Sequence, residues 1–305
     1  SSDVRWRSSN RLAGHLWTIA PSMKLGRRPL PAASAWTVTV PDARMGAVEL
    51  SGLIRHEHGA NTLALVVHGL GGDAHSPYCE RAAMAAARRG WSCLRLALRG
   101  ADGRGEDLYH AGLASDLDAV LASPALAPYS RIHVLGYSLG GHVVLRHALS
   151  PSDARVGAVA AVCAPLDLAR SCHAIDRRRS FLYRHAILHS LKRAYRSVCA
   201  RRQLPTPPEV VDRVRTIRNW DAAVIVPRHG FESVEHYHAT QSVGPRLREL
   251  ARPALWIGSR FDPMVPPWTV EPSFRAAGSA LSVEILEVGG HVGFPAFVHG
   301  PLRRA

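Results

Sequence analysis

The chain has 305 residues, 47 % of them hydrophobic, and a formal net charge of +14 carried almost entirely by arginine. Such apolar content excludes wholesale disorder and supports a large core, built as one α/β domain with an insertion or as two domains. No run reaches 18 uninterrupted apolar residues; the longest candidate, 156–169, is broken by Pro165 and Asp167 and reads as a buried strand and its exit.

In chain order, the N-terminal SSDVRWRSSNRLAGHLW lacks the apolar core of a signal peptide, so no leader is expected in that stretch. WTVTV (36–40) and VELSGLI (48–54) predict a hairpin. TLALVVHG (62–69) predicts a buried strand ending in glycine, and SPYCERAAMAAARRG (76–90) a helix with a glycine stop. WSCLRLALRG (91–100) is a strand, and SDLDAVLASPAL (115–126) opens with a helix capped by Ser115 or Asp116. RIHVLGY (131–137), GGHVVLRHALS (140–150) and VGAVAAVCAP (156–165) read as strand, helix and strand. RPALWIGSRFD (252–262) and LSVEILEVGGH (281–291) are two more strands. That alternation means an α/β fold: a mostly parallel sheet with helices on both faces.

Between 166 and 225 the rhythm breaks. RRRSFLYRHAILHSLKRAYRSVCARR (177–202) is helical, with Phe181, Leu188, Leu191, Tyr195 and Val198 on one apolar stripe, and the proline-broken LPTPPEVV (204–211) follows. The expected organisation is a core of 1–165 and 226–305, with 166–225 as a helical lid over the sheet's carboxyl edge. The five cysteines (79, 93, 163, 172, 199) are scattered without a CxxC pair, so reduced thiols in a cytoplasmic protein are expected and a zinc site is not. There is no glycine-rich phosphate loop.

HVLGYSLGGHVVL (133–145) puts Ser138 between a buried strand and a helix. In an open α/β sheet, ligands bind beyond the carboxyl ends of the strands, and G-x-S-x-G at such a junction is the context of a nucleophile elbow. Gly136 and Gly140 keep the turn small, and the helix N-terminus points free N–H groups at developing negative charge. The motif is weak alone; two further signals give it weight. HGLGG (68–72), with His68 and Gly69 at a strand end, fits an oxyanion loop, in which the Leu70 and Leu139 N–H groups would pair, although a plain glycine turn reads the same way. Asp262 and His291 then follow, each at a strand end, in the order Ser…Asp…His. A serine hydroxyl needs a base to remove its proton, histidine titrates in the right range, and an aspartate fixes the ring's tautomer. Asp167 is the runner-up acid and Asp221 a more distant one.

With these residues in place, the chain resembles the YheT-like branch of the α/β-hydrolase fold, to which the plant embryogenesis-associated hydrolases also belong. The likeness rests on HLWTIAPSM (15–23), HGLGGDAHSPY (68–78), LALRGADG (96–103), LYHAG (108–112), GYSLGG (136–141), RHGFESVEHY (228–237), FDPMVPP (261–267) and GGHVGFP (289–295). It implies Ser138, Asp262 and His291 as a catalytic triad, a carboxylesterase or lipase-like activity, and no metal or organic cofactor. The chain departs from that pattern at Ala101, at His142, at Phe261 and in having only 14 residues after His291, where a final helix is expected over one face of the sheet.

Residues 177–218 hold twelve Arg or Lys against Glu209 and Asp212. A core-facing helix with a solvated basic back accounts for this; a lid that touches anionic lipid at the inner membrane surface is the sharper alternative. Aromatic residues are too sparse there to suggest nucleic acid. The expected function is hydrolysis of small-molecule or lipid carboxylic esters with short- to medium-chain acyl groups. The alternatives are a phospholipase or monoacylglycerol lipase at a membrane surface, and a non-catalytic binder on the same fold.

Overall fold

Ser34–Asp42 (β1) and Gly46–Arg55 (β2) form the expected antiparallel hairpin, its turn held by Arg44 and Met45 N–H groups donating to the Asp42 carboxylate. The structure is a computed structural model and describes residues 12–19 and 30–295. The expected core also included 1–11, 20–29 and 296–305, which lie outside the described residues.

Six further strands complete one sheet: Thr62–Val67 (β3), Ser92–Ala97 (β4), Arg131–Tyr137 (β5), Val156–Val162 (β6), Ala254–Ser259 (β7) and Leu281–Leu286 (β8). The spatial order is β1-β2-β4-β3-β5-β6-β7-β8. β1 and β2 join antiparallel, and every pair from β4 to β8 is parallel. The central strands are apolar at consecutive positions because helices cover both faces; Leu63, Leu65, Val66 and Val67 of β3 are all fully buried. The crossovers are Pro77–Arg88 (α2), Asp116–Leu121 (α3) and Leu139–His147 (α4), preceded by a helix at 12–19 (α1).

Between β6 and β7 the chain is helical: Leu168–Asp176 (α5), Phe181–Cys199 (α6), Pro208–Asp212 (α7), Ile217–Trp220 (α8), a π-helical turn at Asp221–Ile225, Val226–His229 (α9) and Val234–Gln241 (α10). α6 buries Leu188, Leu191, Tyr195 and Val198 as the spacing required, with Ile187 and Ala194 beside them. Phe181 departs from that stripe. It is 55 % exposed, because its ring lies along its own helix, stacked on His185 and under the Arg184 guanidinium.

Buried Arg99, just past β4, ties distant segments together. It donates to both Asp116 oxygens (2.6 and 2.7 Å), to Asp107 (2.8 Å) and to Asp42, and Arg228 of α9 donates to the other Asp107 oxygen at 2.7 Å. Each buried charge thus has a partner, which is the condition for tolerating such a cluster. Toward the β8 edge, Leu255 and Ile257 of β7 are only partly covered on one face of the sheet, and Val283 of β8, in register with Trp256, is exposed on the other.

Candidate active site

The strand-to-helix turn after β5 forces Ser138 to φ +51°, ψ −121°, a strained conformation for a residue with a side chain, stabilised by its N–H donating to Val162 O at 2.8 Å. Glycine is required on either side. A Cβ at 136 would lie 2.3 Å from the Gly140 carbonyl oxygen, and one at 140 would lie 2.3 Å from that of His68. The helix therefore packs directly on the loop after β3. Cys163 and Val292 are the other non-glycine residues with positive φ among those described, and both border the same site.

The structure brings Ser138, His291 and Asp262 together. His291 Nε2 is 3.0 Å from Ser138 Oγ, and His291 Nδ1 is 2.8 Å from Asp262 Oδ2. Asp262 and His291 are buried, while Ser138 is half-buried and faces a cavity. Burial pushes the Asp262 carboxyl up, but His291 and the N–H groups of Val265 and Met264 (2.9 and 2.8 Å, on Oδ1) outweigh it and hold the acid below its ordinary range. Asp262 therefore stays ionised and accepts from His291 Nδ1–H, which leaves Nε2 free to accept the serine proton.

The loop after β3 lies against the elbow: a Cβ on Gly69 would be 2.8 Å from Ser138 Cβ. His68 holds that loop rather than reacting. Its Nε2 accepts the Leu98 N–H (3.0 Å), its Nδ1–H donates to Gly69 O (2.8 Å), and burial lowers its pKa, so the ring is neutral with a fixed tautomer. The Gly69 and Gly71 N–H groups donate to the hydroxyls of Tyr78 and Tyr109. Leu70 and Leu139 N–H have no acceptor among the described residues, and both residues line the cavity beside Ser138. That is the disposition an oxyanion hole needs.

The runner-up acids are elsewhere. Asp167 caps α5, accepting the Arg170 N–H at 2.9 Å, and Asp221 pairs with His238 at 2.8 Å. Sequence reading missed Thr18. Its hydroxyl accepts the His291 N–H at 2.8 Å and donates to Gly14 O, so α1 positions the histidine loop. Small residues make that contact fit: a Cβ on Gly290 would lie 2.1 Å from Gly14 O, and one on Gly14 2.3 Å from Phe261 O. The signal lay in the stretch HLWTIAPSM, which carried no chemistry of its own.

The cavity measures about 230 Å³. Leu168, Ile175, Ile187, Ile217, Trp220 and Ile225, all from the helices between β6 and β7, supply much of its apolar wall. Two groups of side chains in or beside it could ligate a metal: Cys163 with Asp262 and His291, and Cys172 with Asp221 and His238. In the first, both histidine nitrogens are already engaged.

The Alpha/beta hydrolase family matches residues 64–300, which span the sheet from β3 onward, the elbow and the histidine loop. The chain belongs to this family. It is 30 % identical to the "Putative esterase YheT" of Escherichia coli K12 over 92 % of this chain and 84 % of that protein. It is 25 % identical to a Saccharomyces cerevisiae "Monoacylglycerol lipase", covering 55 % of this chain and 39 % of the yeast protein. Among solved structures, the Pyrococcus furiosus esterase Pf2001 aligns with a TM-score of 0.54 at 17 % identity, over 87 % of this chain and 91 % of that one, a likeness of fold.

Proposed function

We propose that this α/β hydrolase cleaves carboxylic esters through an acyl-enzyme on Ser138. The observation that carries this reading is the continuous Ser138–His291–Asp262 hydrogen-bonded chain at a strained elbow facing an apolar cavity. His291 takes the Ser138 proton as Oγ attacks the ester carbonyl. The carbonyl oxygen, now negative, accepts from the Leu70 and Leu139 N–H groups, each worth about 10²–10³ in rate. His291 then protonates the leaving alcohol, and a water activated the same way releases the acid. Asp262 orients the ring and stabilises its charged form throughout.

The cavity favours acyl groups of short to medium length. An apolar-walled cavity of about 230 Å³ supports a preference for short- to medium-length acyl groups over long ones. Steady-state rates on a series of p-nitrophenyl esters test this reading: kcat/KM peaks at or below the octanoyl ester and falls for palmitoyl, and Ser138→Ala is inactive on all. A wild type inactive across the series favours a non-catalytic binder.

A second reading, action on lipid esters at an anionic membrane surface, is favoured by one feature. Exposed Leu12 and Leu16 of α1 (each 67 %) and Phe181 and Leu182 of α6 (55 and 73 %) stand on two helices joined by the His15–Tyr183 contact, with exposed Arg177, Arg178 and Arg179 alongside. Thr18 and Ile187 of the same helices line the cavity. No helix among the described residues is long and apolar enough to cross a membrane, so the contact would be peripheral. Sedimentation with phosphatidylglycerol vesicles is expected to pull down the protein more than phosphatidylcholine vesicles do, and Leu182→Glu to weaken it; equal partition removes this reading.

A further inference from the structure

The hydrolytic machinery leaves one reactive group of the cavity wall unused. Cys172 on α5, Asp221 at the start of the π-helical turn and His238 on α10 come from three separate elements and are all buried. All three line the cavity that Ser138 faces. One ligand atom from each, Sγ, a carboxylate oxygen and a ring nitrogen, lies within 4.8 Å of both others.

We propose that Cys172, Asp221 and His238 bind a divalent cation of borderline softness, zinc or cobalt in character, in the wall of the cavity. Such cations take thiolate, imidazole and carboxylate together, at about 2.3 Å to sulfur and about 2.0–2.2 Å to nitrogen and oxygen. Tetrahedral bonds of those lengths separate neighbouring donors by on the order of 3.3–3.7 Å. The His238 Nε2···Asp221 Oδ2 contact of 2.8 Å opens slightly to reach that spacing. As the metal–sulfur bond forms, the thiol proton leaves to solvent.

Three further observations fit a ligand here. Asp221 forms no ion pair with an Arg or Lys among the described residues, and its side-chain hydrogen-bond partner is His238; a divalent cation adds positive charge beside this buried carboxylate. Cys172 is positioned by Asp176, which lies 3.6 Å from its sulfur and is itself fixed by the N–H groups of Ile217 and Arg218 at 2.8 and 3.0 Å. That contact aims the sulfur in its thiol form and is given up when the thiol proton leaves on metal binding. Ser171, beside Cys172 in the cavity wall, buries a hydroxyl with no hydrogen-bond partner among the described residues. Three protein ligands leave the fourth position open toward the cavity, as in sites with an exchangeable ligand. No CxxC spacing announced this group because its members are separated by 49 and 17 residues of chain.

Cobalt(II) titration of the full chain tests the proposal without relying on hydrolysis. One equivalent binds with a thiolate-to-cobalt charge-transfer band in the near ultraviolet. The band is lost in Cys172→Ala, persists in Cys163→Ala, and requires at least tenfold more cobalt in His238→Gln. Circular dichroism shows that each variant is folded. No band in the wild type, a band retained by Cys172→Ala, or one lost in Cys163→Ala overturns the proposal, the last by moving the metal to the triad.

Discussion

Two buried histidine–carboxylate pairs face one cavity, Asp262 with His291 and Asp221 with His238, each with a ring nitrogen 2.8 Å from a carboxylate oxygen. Their surroundings differ. Asp262 receives two backbone N–H bonds, and these with His291 hold it below its ordinary pKa despite burial. At Asp221 burial prevails over His238 and the acid is raised; it accepts no backbone N–H among the described residues. His291 also has Ser138 Oγ at its second nitrogen and Thr18 behind its backbone. A histidine base needs its acid held ionised, its loop held still and a nucleophile at the far nitrogen; of the two pairs, Asp262 and His291 meet these conditions in geometry, with Ser138 Oγ at the far nitrogen.

Substitution tests that contrast, beginning with the largest effect. Ser138→Ala or His291→Ala is expected to lower kcat for ester hydrolysis on the order of 10⁶-fold, each about as much as both together. His238→Ala is expected to cost less than tenfold, and a loss as large as at His291 would erase the distinction. Asp262→Asn should lower kcat by about 10⁴-fold with its geometry kept, because the amide favours the wrong histidine tautomer. Asp221→Asn, measured by the same initial rates, stays within tenfold.

Much of this was legible in the chain. The eight strands lie where short apolar and β-branched runs placed them, and Ser138, Asp262 and His291 stood out because each sits at a strand end beside glycine or proline punctuation. What escaped depends on contacts remote in sequence. Thr18 acts on His291 across 273 residues, and Arg99 gathers acids from three separate segments. The helical period placed Leu188 to Val198 on the inner face but could not show that Phe181, on the same stripe, would turn onto its own helix. The cluster of Cys172, Asp221 and His238 has no spacing signature, since only the packing of α5, the π-helical turn and α10 assembles it.

Smaller effects sharpen the comparison further. Thr18→Ala is expected to lower kcat about 10- to 10²-fold with KM little changed, since it loosens the base rather than the cavity. Thr18→Ser restores the rate, and a loss confined to KM would contradict a positioning role. The smallest effect is on stability. A carboxyl depressed in the fold adds stability above its unfolded value, near 4, and that contribution is lost as pH falls through the folded value. The melting-temperature gap between wild type and Asp262→Asn should therefore be widest near neutrality and close on acidification.

Covalent capture with a fluorophosphonate, followed by peptide mapping, tests the nucleophile most directly. The expected result is one phosphonyl adduct per chain on the peptide carrying Ser138, with none in Ser138→Ala and greatly slowed labelling in His291→Ala. Ester turnover by a wild type that takes no adduct, or equal labelling of Ser138→Ala at another residue, would contradict the account.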